Sequence, residues 1–106
     1  MSVIFLYATA PDEATAVSLA EALVENGAAA CVNCIPGMKS VYRWEGRTER
    51  ALETVMIVKT TREKAAAARD LLLSRHPYEN PAVVAIPVDA ALSSSAFCAW
   101  IGEQCR

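Results

Sequence analysis

Hydrophobic side chains fill both alternating sets of positions from Val3 to Thr9, with Val3, Phe5 and Tyr7 on one side and Ile4, Leu6 and Ala8 on the other. Such a strand is covered on both faces. Pro11, Asp12 and Glu13 then mark a helix start, with proline in the first turn and acids near the positive end of the helix dipole. Ala16, Leu19, Ala20 and Leu23 recur at helical spacing, and Gly27 ends the pattern as a left-handed cap. The spacing predicts a helix from Pro11 to Asn26.

Ala30 to Ile35 and Met38 to Trp44 alternate as strand, interrupted by Pro36, which removes a backbone donor, and Gly37, which relaxes the backbone. The pair predicts a bend or bulge in one long strand. Glu45, Gly46 and Arg47 form the reversal, and Leu52 to Thr60 returns as strand, giving a long protruding hairpin. Thr60 with Glu63 makes a capping box for a second helix running to about Ser74, whose inner face is Ala65, Ala68, Leu71 and Leu72. It stops at Arg75 or His76, ahead of Pro77. Val83 to Val88 is a short strand, and Ser94 or Ser95 caps a last helix carrying Phe97, Trp100 and Ile101.

The order β, α, β, β, α, β with right-handed crossovers predicts an α+β, ferredoxin-like βαββαβ sandwich with an additional C-terminal helix. Residues 1–106 make one domain, because so short a chain supports a single shared core. Helices on one face leave the other sheet face apolar, and copies of the same chain around an axis are the simplest cover.

Composition sharpens this picture. The hydrophobic share is 54 %, generous for a small monomer and in keeping with association. Ten Lys and Arg against twelve Asp and Glu give a net charge of -2, which disfavours nucleic acid as a partner. No apolar run reaches the roughly 20 residues that span a bilayer, so membrane insertion is not expected. The start of the chain lacks the pattern of a secretory leader, which points to the cytoplasm. Cys31, Cys34, Cys98 and Cys105 are then expected as reduced thiols.

Cys31 and Cys34 have Cys-x-x-Cys spacing, yet on an extended strand positions 31 and 34 point to opposite faces, so only a bend would pair them. Cys31 alone can bind or react, or simply pack. His76, the only histidine, sits between a helix and Pro77. It can contact a metal or ligand, transfer a proton, or make a structural hydrogen bond. Glu53, Lys59 and Glu79 can form an anion-binding or ion-pair network, although Lys59 equally suits a structural pairing at the sheet edge. Tyr42, Trp44, Tyr78 and Trp100 read as packing or interface groups, since no basic field supports stacking on RNA. No phosphate-binding glycine loop or hydrolase nucleophile elbow is present.

The ordered segments A-C-V-N-C-I-P-G at Ala30 to Gly37, Y-R-W-E-G at Tyr42 to Gly46, I-V-K-T at Ile57 to Thr60 and H-P-Y-E-N-P at His76 to Pro81 resemble the divalent-cation tolerance family called CutA. Thr9, Pro11, Asp12, Trp100 and Ile101 fit the same layout, so the resemblance covers nearly the whole chain. It implies a ferredoxin-like homotrimer, joined through its long strands, that binds copper or other divalent ions and contributes to metal tolerance without being an enzyme. Carried over residue by residue, it makes Cys31 and His76 the candidate metal ligands and places Glu53, Lys59, Tyr78 and Glu79 near a cleft between subunits. Cys34 departs from the family pattern, which is more often aliphatic there, and is not carried over. Two other functions stay open: a trimeric signalling module whose cleft takes a small molecule, and an enzyme with Cys31 as nucleophile and His76 as base.

Overall fold

In the computed structural model, which describes residues 2–106, four strands and three α-helices follow the expected order. They are β1 (Val3–Ala10), α1 (Glu13–Glu25), β2 (Cys31–Trp44), β3 (Arg47–Thr61), α2 (Arg62–Arg75), β4 (Val83–Pro87) and α3 (Ser95–Gln104). The sheet is antiparallel in the order β2-β3-β1-β4. This is an α+β, ferredoxin-like arrangement with an added C-terminal helix.

The two apolar sets of β1 have different fates. Ile4, Leu6, Ala8 and Ala10 enter the main core with Met56 and Val58 of β3, Ala16, Leu19 and Leu23 of α1, and Ala68 and Leu72 of α2. Each buried leucine there contributes roughly 1.5–3 kcal/mol of transfer free energy. On the reverse face, Val3 is buried with Ala30, Ile101 and Cys105, and Phe5 packs against that smaller cluster. So α3 covers only one end of the second face. Beyond it Ile35, Val84 and Ile86 stay about half exposed, at 50 %, 55 % and 49 %.

Local chemistry sets the boundaries. Asp12 precedes α1 and accepts from the Thr15 N–H at 2.7 Å, which holds its carboxyl below the usual range. The helix is therefore shorter than predicted, with Pro11 outside it. Gly27 has φ +70, and a Cβ there would collide with the Arg106 carbonyl oxygen. Glycine is required both for the left-handed turn and for the chain end to dock on it.

At α2 the expected capping box is replaced by another arrangement. Thr61 is the cap residue and makes no side-chain cap bond, while Thr60 ends a buried strand row and donates its hydroxyl to the Ala28 carbonyl at 2.6 Å. Once buried, a hydroxyl takes the partner available on its own face. β3 begins at Arg47 rather than Leu52, because the turn is two residues only, Glu45 and Gly46, with φ 48 and 77. Two consecutive positive values make a type I′ turn, whose twist matches paired strands and carries the ladder to Trp44 and Arg47.

Candidate functional site

A single extra residue in β2 organises the open face. Ile35 pairs with Val55 and Met38 with Glu53, so Pro36 and Gly37 together oppose one residue of β3. Gly37 takes φ +81 to make this bulge. The insertion switches the alternation: Cys31, Asn33 and Ile35 face the open side before it, and Met38, Tyr42 and Trp44 after it. Without the bulge, Val41 and Arg43 would take the face of Glu53 instead.

Under the hairpin the open face becomes a cleft of about 750 Å³, lined by Tyr7, Tyr42, Trp44, Glu53, Tyr78 and Glu79 among others. Tyr7 reaches Met38 Sδ at 3.6 Å, and Tyr78 Oη donates to Glu53 Oε2 at 3.1 Å. Burial, the hydrogen bond to Glu53, the Glu53 charge and the neighbouring Tyr42 and Asp12 push the Tyr78 phenol up to about 12. An unfolded tyrosine ionises at about pH 10. The associated stability is complete below pH ~10 and is lost as pH rises to about 12. Urea midpoints should fall across that window, and Tyr78→Phe should flatten the fall; an equally steep fall in the variant would put its cause elsewhere.

His76 is buried and holds the wall of the cleft in place. Its Nε2 lies 2.6 Å from the Thr9 carbonyl oxygen, and its Nδ1 accepts from the Tyr78 N–H at 3.1 Å. An accepting Nδ1 assigns the proton to Nε2, which donates to Thr9. Both ring nitrogens are thus engaged, and the ring packs 4.8 Å from that of Tyr78.

Cys31 stands elsewhere. It pairs across the sheet with Lys59, which pairs with Phe5, four residues along β1 from Thr9. Cys31 is thus about 13 Å along the strands and about 10 Å across them from Thr9, whose carbonyl holds His76. The fold thus does not bring Cys31 and His76 together within the protomer, and in this arrangement the imidazole has no free lone pair for a metal. Cys31 is half-buried on the open face, with Asn33 Nδ2 4.0 Å from its sulfur. Lys59 also lies away from the cleft that gathers Glu53, Tyr78 and Glu79. Its ammonium sits 5.8 Å from the Phe5 ring centroid and 5.3 Å from that of Phe97, within cation–π range.

Cys34 points to the helix side and packs on the main core; burial first and Glu13 second push its thiol up. The two cysteines take opposite faces, as strand geometry predicts, so the Cys-x-x-Cys spacing makes no chelate. Tyr7, Tyr42 and Trp44 were not assigned to the cleft by sequence reasoning. For Tyr42 and Trp44 the signal was available in the parity change across Pro36 and Gly37.

Residues 4–104 match the model of the family described as CutA1 divalent ion tolerance protein. The chain belongs to the CutA1 family. A divalent-cation tolerance protein CutA of Archaeoglobus fulgidus is 44 % identical over 99 residues, 93 % of this chain and 94 % of that protein. The solved structure of CutA from Xylella fastidiosa superposes with a TM-score of 0.94 at 31 % identity, covering 100 % of both chains. The structure from Archaeoglobus fulgidus, described as a periplasmic divalent cation tolerance protein, gives 0.92 at 41 % identity, covering 98 % of this chain and 99 % of that one. The CutA1 family is named for metal tolerance and not for an enzymatic reaction. Among the described residues, no helix is long and apolar enough to cross a membrane.

Proposed function

We propose that this chain works as a cytoplasmic homotrimer that binds divalent or transition-metal ions, copper foremost, and contributes to metal tolerance without a turnover reaction. The observation that carries this reading is the apolar open face: α1 and α2 both pack on the opposite side, α3 covers one end, and Ile35, Val84 and Ile86 remain about half exposed on the same face as the half-buried Cys31. A contiguous apolar surface beside a long hairpin suits burial against copies of the same chain.

Among the described residues, no group of three or more His, Cys, Asp or Glu converges within the protomer. A ligand set that includes Cys31 is therefore completed between copies, and a thiolate selects soft ions such as copper(I) over magnesium. His76 enters the proposal as the support of the cleft wall rather than as a ligand. Light scattering over a dilution series should give a trimer mass down to low micromolar concentration. A folded monomer throughout that range would remove the assembly on which the shared site depends.

One observation favours a second reading, a trimer that responds to a small molecule. Glu53, Tyr78 and Glu79 converge with three more aromatic rings in a cleft that Cys31 does not line. Metal binding at Cys31 and ligand binding in the cleft can coexist.

A further inference from the structure

The cleft has a composition that neither a bare metal ion nor an anion matches. Tyr7, Tyr42, Trp44 and Tyr78 present aromatic surface, and Glu53 and Glu79 supply two carboxylates. The two carboxylates repel an anion. A hard cation such as magnesium needs several converging oxygens, and no such cluster of three carboxylate, thiol or imidazole groups occurs among the described residues. Arg43 also lines the cleft, but its strand position opposite Thr48 has the parity of the face away from Glu53.

We propose that this cleft binds a small organic cation of the alkylammonium class. The inference rests on the small-molecule reading of the cleft and names the chemistry of its ligand. Aromatic faces attract a weakly hydrated cation through their quadrupoles. Glu53 adds charge at a fixed position, because the Tyr78 hydroxyl holds one of its oxygens at 3.1 Å. Tyr78 is in turn held by its backbone bond to His76 Nδ1. The protomer's share of the site is thus held in place before a ligand arrives, on β1, β3 and the segment after α2, with the hairpin of β2 as the wall that meets a neighbouring copy in the proposed trimer. Burial is the first cause of the upward shift of the Tyr78 phenol, and the negative charges of Glu53 and Asp12 add to it; those charges make the local field negative. The same field favours a cation.

Trp44 is a reporter inside the cleft, and Trp100 is the other tryptophan of the chain. The experiment titrates the Trp100→Phe protein with tetramethylammonium chloride at constant ionic strength and follows Trp44 fluorescence. A parallel titration uses tert-butanol, a neutral molecule of similar shape. A saturable change is expected with tetramethylammonium, with binding at least about tenfold tighter than for tert-butanol. Glu53→Gln should weaken tetramethylammonium binding by about tenfold and leave the alcohol unaffected. Tyr78→Phe, which removes only the hydroxyl that orients Glu53, should give a smaller loss in the same direction. Equal binding of cation and alcohol would overturn the inference while leaving the cleft a small-molecule site. No saturable response to either would overturn both. Copper affinity at Cys31 is measured separately and is unaffected by either result.

Discussion

Replacing His76 by alanine is expected to lower the unfolding free energy by about 2–4 kcal/mol, the largest effect of any single polar substitution at the cleft. The imidazole satisfies the Thr9 carbonyl through Nε2 and the Tyr78 N–H through Nδ1, across 67 and 2 residues of chain. Deleting it leaves two backbone groups without partners at a buried position and opens a cavity beside Tyr78. Urea unfolding should show a lower midpoint with the slope unchanged. His76→Gln, which restores a donor near Thr9, should recover part of the loss. A change below about 0.5 kcal/mol in the alanine variant would mean that water replaces the imidazole at no cost and that His76 is free for other work.

The second large effect is expected on assembly. Trp44 closes β2 at the hairpin turn, faces the same side as Glu53 and is 46 % exposed in the protomer. Exposed tryptophan at the end of a protruding hairpin has more to gain from burial than any residue near it, and interface anchors of this kind are worth about 2 kcal/mol or more. Trp44→Ala should raise the dissociation constant of the trimer by roughly 30-fold or more, with far-ultraviolet circular dichroism unchanged at high protein concentration. Sedimentation velocity at several loading concentrations reads this directly. Identical dissociation curves for the wild type and the variant would place Trp44 away from the subunit boundary.

Most of the fold is legible in the chain because each core element carries its own period. The two-sided strand at Val3–Ala10 and the helical spacing of Ala16, Leu19 and Leu23 place the main core directly. The arm from Arg47 to Ala51 is not legible in this way: it alternates polar residues on both faces, outside the core, and is strand only because the tight Glu45–Gly46 turn extends the ladder. Thr60 misleads for a related reason. Its spacing to Glu63 imitates a capping box, but the strand buries its hydroxyl beside Ala28.

The candidate site was legible by residue more than by arrangement. Glu53, Tyr78 and Glu79 do converge, whereas the partners of His76 depend on a contact 67 residues away that no local pattern encodes. The bulge at Pro36 and Gly37 was visible, and counting alternation through it would have added Tyr42 and Trp44 to the cleft. Cys31 and Cys34 were separable from strand geometry alone, and the core packing of Cys34 gives that separation its chemical meaning.

Metal binding through Cys31 is tested most directly by anaerobic competition titration of copper(I) against a chromophoric chelator, using the wild type, Cys31→Ser and His76→Ala. Only the folded, assembled fraction of each variant is titrated, so that the stability loss in His76→Ala does not masquerade as lost affinity. Cys31→Ser should lose at least about tenfold in copper affinity, and His76→Ala should stay close to the wild type. Affinity in the wild type should also weaken as pH falls, because the metal displaces the thiol proton. Unchanged copper affinity in Cys31→Ser would contradict the assignment, and a loss confined to His76→Ala would show that the imidazole exchanges its two internal hydrogen bonds for the metal.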